Sequence, residues 1–250
     1  MYKFYKNKNF GLIIISSLKS KRLKNKAILK INSKNSLTEY LIDKMKFYFK
    51  NTKIILATSK RKKDKKLIQL AQKKEINFFA GNYIDVLNRI YNASKEYKLN
   101  NILVCSGDNP LIDLEKMKIL IQFHLKKNND FSSYKNMPLG SYGWVLKVKS
   151  LKKIIKQKKI RDTEIWGNFF LENKSLKCKF LNYKTKKKFL FYKRLTIDTS
   201  KDLLLVRKIL KIAKKKYPNL NDIEKILYSN QNLLKINNNI IQRIGPKNVY

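Results

Sequence analysis

Asn101-Ile-Leu-Val-Cys-Ser-Gly-Asp-Asn-Pro-Leu-Ile-Asp113 decides the fold of this chain. Ile102 to Cys105 is a short apolar run, and Ser106-Gly107 stops it. Asp108 follows at once, and Asn109-Pro110 forces an extended or turned backbone before a helix opens at Asp113. A buried parallel strand has this pattern when it delivers a carboxylate at its carboxyl end, where open α/β sheets bind ligands. A carboxylate so placed can hold Mg²⁺ against a triphosphate. The same Asp-Asn-Pro is also good turn chemistry, so the local pattern alone leaves a plain turn or helix cap open.

Outward from that stretch, strands alternate with helices. Gly11–Ser16 and Lys53–Thr58 read as strands, and Ile76–Phe79 as a short third one. Helices are expected at 37–48, where Ser36 and Glu39 form a capping box, and at 64–74, 83–98 and 113–127. βα units in series mean a mainly parallel sheet. Beyond residue 127 the pattern changes. Strands are expected at 130–134, 142–148, 177–183 and 190–197, with helices at 150–158 and 162–172. The last strand ends at Asp198, a second acid at a strand end. A long amphipathic helix from Thr199 to Tyr217 stops at Pro218, and two weak helices over 221–243 close the fold. Residues 1–10 read as a basic extension and 11–250 as one domain, without internal repeats.

Composition narrows the chemistry. The one histidine, His124, lies on a predicted helix, so it reads as a surface or packing residue. A Ser-His triad has few options and no His/Cys cluster exists for zinc. Cys105 and Cys178 sit in apolar runs and read as buried thiols rather than a disulfide. The chemistry therefore rests on carboxylates, lysines, arginines and backbone amides. The net charge of +41 is almost all lysine, spread end to end among abundant Asn and Ile. These are the residues of AT-rich codons, and no basic-Gly-aromatic RNA-binding signature accompanies them. A nucleic-acid-binding protein is the alternative from a different class, but no nucleic-acid partner is expected. No apolar stretch nears the roughly 20 residues of a membrane span, and no signal peptide is read, so the expected location is cytoplasmic.

The loop after the first strand, Ser17-Leu-Lys-Ser-Lys-Arg-Leu-Lys-Asn-Lys26, has no glycine but is dense in cations and hydroxyls. Its position suits a polyphosphate, which Lys and Arg would neutralise and backbone N–H groups would cradle. In so lysine-rich a chain it also reads as a plain solvated loop. Two strand-end acids with one such loop suggest metal-assisted nucleotidyl transfer, in which positioning and charge neutralisation do most of the work.

Five motifs in register resemble the cytidylyltransferases that activate acidic sugars. These are the acylneuraminate and 3-deoxy-manno-octulosonate cytidylyltransferases and the spore-coat polysaccharide proteins related to them. Ser20, Arg22, Leu23 and Lys26 match the family's Gln/Pro-Ala-Arg-x-x-Ser-x-Arg-Leu-Pro-x-Lys. Gly81-Asn-Tyr-Ile-Asp85-Val-Leu-Asn-Arg89 resembles Gly-Ser-x-x-Asp-Val-Leu-x-Arg, and Ser106–Asp113 resembles Thr-Gly-Asp-Asn-Pro-Leu-Ile-Asp. Asp162-Thr-Glu164-Ile-Trp166-Gly167 and Arg194-Leu-Thr-Ile-Asp198-Thr-Ser-Lys-Asp202 complete the set, which spans roughly residues 11–217.

The resemblance implies a three-layer nucleotide-diphospho-sugar transferase fold, Rossmann-like, with a mainly parallel central sheet. It implies transfer of CMP from CTP to an acidic sugar for surface glycan synthesis, and often a homodimer. Mg²⁺ would sit on Asp108 and Asp198. Arg22, Lys26 and Asp108 are the expected catalytic residues. Ser17, Ser20, Lys21, Arg22, Lys26, Thr58, Gly81, Asp85, Arg89 and Asn109 are the expected nucleotide contacts. Leu139, Gly140, Tyr142, Glu164 and Trp166 are nominated for the sugar. Three positions depart from the motif: Ser17 stands where the family has arginine, Lys24 where it has proline, and Lys19 where glycine is common. A lost arginine removes a planar fork that lysine cannot replace, which keeps another nucleotide or sugar, or an inactive member, in view.

Overall fold

The computed structural model describes residues 9–185 and 194–250. Seven strands form one sheet: β1 (Phe10–Ile15), β2 (Lys53–Ser59), β3 (Asn77–Gly81), β4 (Asn101–Ser106), β5 (Phe131–Lys135), β6 (Trp144–Lys147) and β7 (Cys178–Asn182). Their order is β3-β2-β1-β4-β6-β5-β7. The first four are mutually parallel, with Ile13 opposite Ile55 on one side and Val104 on the other. β6 runs antiparallel to both β4 and β5, and β7 returns parallel to β5.

The central strands carry continuous apolar runs, at 12–15, 54–57 and 102–105, because both faces are covered. Side chains alternate across the sheet. Leu12 and Ile14 join one core layer, while Ile13 joins the other with Ile55 and Val104. The first layer packs α1 (Leu37–Tyr48), α4 (Leu114–Lys127), α7 (Ser200–Ile212) and α8 (Leu220–Ser229) on the sheet. The second packs α3 (Val86–Glu96), α5 (Val148–Gln157) and the short α6 (Gly167–Leu171) on the opposite face. α2 (Lys65–Lys73) packs beside β2 and β3. The chain order reverses at β1, which has β2 on one side and β4 on the other, so the crevice above β1 and β4 is the topological switch point. The Ser36 N–H donates to the Glu39 carboxylate at 2.7 Å, as the capping-box reading of α1 requires.

Several expectations need correction. Residues 162–166 are not helical, and α6 begins only at Gly167. The Thr163 hydroxyl instead accepts from the Leu87 N–H at the start of α3, holding that segment as a loop. The expected strand at 190–197 falls partly outside the described residues. Its visible end makes a single parallel bridge between Arg194 and Leu139 and then crosses the ends of other elements. α7 stops at Ile212, five residues before Tyr217. Tyr217 packs edge-on against Tyr40, with ring centroids 5.4 Å apart, which takes the chain off the helix axis before Pro218. Past α8 there is a 3₁₀ turn, Gln231–Lys235, rather than a second α-helix. Cys105 is buried but Cys178 is only half-buried, and both are free thiols. His124 is a packing residue: burial holds its pKa down to about 4, and Nδ1 pairs with the Ser132 hydroxyl at 3.0 Å.

Lys44 is the unexpected member of the core. It is 1% exposed, and its ammonium donates to the Pro110 carbonyl at 3.3 Å. Burial pushes its pKa down to about 8, only partly offset by the charge of Asp113. A depression of that size costs about 3 kcal/mol of stability while the lysine is protonated in both states. Between pH 8 and the ordinary lysine range the unfolded chain holds the extra proton, so stability rises with pH there. Lys44→Met should therefore stabilise the chain at pH 7 by about 1–3 kcal/mol. Its advantage should shrink by pH 9.5, as read from urea unfolding at both values. An equal or negative effect at pH 7 would show that the buried charge is not penalised.

Candidate active site

The switch point is built by close backbone approach. The Gly107 N–H donates to the Ile15 carbonyl at 2.7 Å, and a Cβ at 107 would lie 2.8 Å from that same oxygen. Only glycine lets the end of β4 meet the end of β1 so closely. Asp108 is thereby fixed above β1. Its carbonyl accepts from the Ile197 N–H at 2.9 Å, which draws the segment 194–198 across the turn. Gly140 makes the second close approach. It has φ +92°, and a Cβ there would strike the Thr196 amide. The Leu139 carbonyl accepts from the Leu195 N–H, locking the 138–143 loop to the same segment.

Asp108 and Asp198 are 90 residues apart in the chain and converge on one point. The Lys26 ammonium lies 2.7 Å from a carboxylate oxygen of each and 2.8 Å from the Ile197 carbonyl. Arg22 reaches the other oxygen of Asp198 at 2.9 Å, and Arg194 reaches it at 2.8 Å. Burial alone would lower the Lys26 pKa, but the charges of Asp108 and Asp198 and their hydrogen bonds raise it above the ordinary value. Burial alone would raise that of Asp198, but Lys26, Arg22 and Arg194 together lower it. Arg194 is itself seated by Asp202, whose carboxylate is fully buried and also accepts the backbone N–H groups of Asp198 and Thr199.

The basic loop is tied down from below. The Leu18 N–H donates to Asp64 Oδ1 at 2.7 Å, and the Ser59 hydroxyl and Arg61 guanidinium hold the other oxygen. Ser20 accepts from the Leu23 N–H at 3.3 Å, which curls the loop toward Lys26. Lys21 is exposed and Ser17 half-buried, and Arg22 and Lys26 are the residues of this loop paired with Asp108 and Asp198. Arg61 also stacks on the Tyr83 ring at 3.9 Å, with Lys19 above the same ring at 4.9 Å.

At the ends of β2 and β3 polar groups are left without partners. Arg89 is 2% exposed, and its Nε and one terminal nitrogen make no hydrogen bond among the described residues. Burial pulls its pKa down to about 10 despite the nearby charge of Asp64. It packs against Gly81, where a Cβ would lie 3.0 Å from the Arg89 Cγ. The Thr58 hydroxyl and the Asn109 Oδ1 are likewise buried and unpartnered. Buried donors and acceptors of this kind need missing partners to account for them.

Other nominated residues do structural work. Asp85 caps α3 by accepting from the Asn88 N–H, accepts the Thr163 hydroxyl at 2.9 Å and pairs with Lys158 at 2.7 Å. Trp166 is buried, its ring 4.7 Å from that of Trp144, and Tyr142 meets Trp144 edge-on. Glu164 is exposed and joins Lys19 at 3.3 Å to Arg243 at 3.8 Å.

Asn237, Gln242 and Arg243 were not read from sequence. The Asn237 amide donates to Asp202 at 2.8 Å, and Arg194 donates to Gln242. No local motif marks them, because they reach the site from an irregular segment. Asp202 and Arg194 lay inside a quoted motif, but only the structure gives them a positioning role. Among the described residues no three His, Cys, Asp or Glu side chains converge to hold a metal. Asp108 and Asp198 are the two carboxylates that meet there.

The family model for cytidylyltransferases matches residues 12–240. The chain belongs to the cytidylyltransferase family. It is 34% identical over 234 residues to an uncharacterised protein of Methanocaldococcus jannaschii, covering 92% of this chain and 95% of that protein. It is 27% identical to the spore coat polysaccharide biosynthesis protein SpsF of Bacillus subtilis, over 88% of this chain and 93% of that one. A cytidylyltransferase structure from Leptospira borgpetersenii superposes with TM-score 0.82 at 22% identity, over 94% of this chain and 99% of that one. The expected fold and enzyme class stand: this is a nucleotidyltransferase with a mostly parallel, helix-flanked sheet. In open α/β sheets ligands bind beyond the carboxyl ends of the strands, which here is the end where β1 and β4 meet Asp108. The lysine-lined groove at the opposite end, around Lys95, Lys98 and Lys147, is lined by no acid among the described residues.

Arg194→Met would leave Asp202 buried without its guanidinium. The expected cost is about 3–5 kcal/mol by urea unfolding. Arg194→Lys should recover less than half of it, since one ammonium cannot serve Asp198 and Asp202 through separate nitrogens. Full recovery by lysine would mean that only charge matters there.

Proposed function

We propose that this cytidylyltransferase transfers CMP from CTP to an acidic sugar of the sialic or 3-deoxy-octulosonate type, releasing pyrophosphate, for surface glycan synthesis. The observation that carries the reading is the meeting of Asp108 and Asp198 on Lys26, with Arg22 beside them and unpartnered Arg89 donors across the crevice. Lys26, Arg22 and the Ser20 hydroxyl would hold the phosphates. The free N–H groups of Arg89 suit a cytosine edge, which offers two neighbouring acceptors where uracil offers an acceptor and a donor.

Mg²⁺ fits the donor set. Two carboxylates whose oxygens reach a common point, completed by phosphate oxygens and water, are what that ion takes in nucleotide sites. When bound, it would neutralise the charge gathering on the transferred phosphoryl group. A sugar hydroxyl oxygen attacks the α-phosphorus, the bond to the bridging α,β-oxygen breaks, and the hydroxyl proton leaves to solvent. Pyrophosphate departs against Lys26 and Arg22. Oriented cations and a fixed in-line approach supply most of the acceleration.

The acidic sugar and the surface-glycan role rest on the motif resemblance and on SpsF, whose name is that of a spore coat polysaccharide protein. A homodimer is proposed on the resemblance alone. A second reading, with another nucleotide or a phosphosugar, is favoured by Ser17, where the family motif has an arginine. Pyrophosphate release with Mg²⁺ separates the readings, with CTP, UTP, GTP and ATP each tested against N-acetylneuraminate, 3-deoxy-manno-octulosonate and phosphosugars. Release with CTP and one acidic sugar is expected; release only with another nucleotide or a phosphosugar would replace the reading.

Asp108→Asn should cut turnover by at least about 10²–10³-fold while leaving the fold intact, as read by circular dichroism. Unaltered turnover would remove Asp108 from the chemistry. Arg89→Met should raise the KM for CTP and narrow its margin over UTP, whereas an equal loss for both would make Arg89 a general anchor rather than a base reader.

A further inference from the structure

The strand-end acids are already neutralised by the chain itself. Asp108, Asp198 and Asp202 carry three negative charges, and Lys26, Arg22 and Arg194 supply three positive ones in direct contact. Lys26 is placed unlike the two arginines. They approach Asp198 from outside, on its other oxygen, whereas the ammonium of Lys26 sits between Asp108 and Asp198 at 2.7 Å from each. Its side chain is only 14% exposed, and the Ile197 carbonyl takes another of its three donors. Any divalent ion shared by those two carboxylates needs the point the ammonium occupies.

We propose that Lys26 is a built-in counter-cation that excludes a divalent metal from Asp108 and Asp198 until a nucleotide triphosphate draws it away. This rests on the nucleotidyl-transfer reading above and gives that site an order of loading. In the free chain an incoming dication must displace a well-bonded ammonium and enter a cluster of zero net charge. A triphosphate changes both conditions. Its oxygens offer Lys26 and Arg22 new partners, release the carboxylate oxygens, and bring negative charge that favours the metal. Metal and nucleotide thus bind with positive coupling, and each raises the affinity of the other by the same factor. The metal-binding pair is thereby kept from ions that arrive without substrate.

The test uses Mn²⁺ alone, followed by electron paramagnetic resonance, on the full chain without nucleotide. Lys26→Met should bind Mn²⁺ about ten- to a hundredfold more tightly than the wild type, because the cluster gains a net negative charge and an open point. Lys26→Gln, which keeps a donor for the Ile197 carbonyl, should gain affinity in the same direction and guards against misfolding of the methionine variant. Adding Asp108→Asn to either should abolish the gain. A parallel arm measures Mn²⁺ binding to wild type and Asp108→Asn with α,β-methylene-CTP present. Wild type that binds Mn²⁺ as tightly as Lys26→Met without nucleotide overturns the proposal. So does the absence of any gain in both lysine variants while Asp108→Asn still weakens the nucleotide-dependent site; the metal role then stands and the gate falls. If Asp108→Asn leaves nucleotide-dependent Mn²⁺ binding unchanged, the metal role of these acids fails and the lysine gate with it.

Discussion

The hydrogen bond from the Gly107 amide to the Ile15 carbonyl fixes everything above the sheet. It joins the end of β4 to the end of β1 at the one place where the chain order reverses. With no side chain at 107, Asp108 stands directly over the loop that follows β1. The segment 194–198 then has one place to lie, across the Asp108 turn, held by the Ile197 amide below and by Gly140 beside it. Asp198 meets Asp108 because two glycines permit three backbones to touch. Side-chain chemistry at this site is a consequence of main-chain packing.

Electrostatics then sets what the site can do. A chain of net charge +41 would be expected to surround any acid with cations, yet the contacts here are not diffuse. Each oxygen of Asp198 has its own partner, and Asp202 is buried with its guanidinium and two backbone N–H groups. Surface lysines elsewhere add little to stability, because exposed pairs are screened and cost side-chain entropy. The buried cluster differs in kind. Its members cannot be removed singly without leaving an uncompensated charge.

Much of this was legible in the sequence. The apolar runs at 11–15 and 102–105 gave the central strands, and the acid after each Gly or Ile stop gave the strand-end carboxylates. What escaped detection did so for physical reasons. The helix expected over 162–172 begins only at Gly167, because Asp85, Thr163 and the Leu87 amide form long-range hydrogen bonds that no local propensity records. α7 ends where Ala213 turns extended, and Tyr217 then packs on Tyr40, a long-range contact that helical spacing does not record. Asn237, Gln242 and Arg243 reach the site from an irregular segment, which has no periodicity to read. Lys44 falls on the apolar stripe of α1, at helical spacing from Leu37, Tyr40 and Leu41, but a lysine there ordinarily carries its ammonium out to water.

Arginine usage gives an independent view of which contacts matter. The chain has 51 lysines and seven arginines, a bias that codon composition explains. Five of the seven border the crevice: Arg22 and Arg194 on Asp198, Arg61 on Asp64 and Tyr83, Arg89 beneath Gly81, and Arg243 on Glu164. Lysine can supply charge at any of these positions. It cannot serve two acids through separate nitrogens, as Arg194 does, or stack flat on a ring, as Arg61 does. Lys26 meets the opposite requirement. A single compact ammonium fits the point between two carboxylates and can swing away on a flexible stem, whereas a planar fork would bind both acids and stay. Arg194 and Arg61 thus hold geometry through separate nitrogens and a ring face, while Lys26, with Arg22 beside it, faces the groups that a triphosphate would offer.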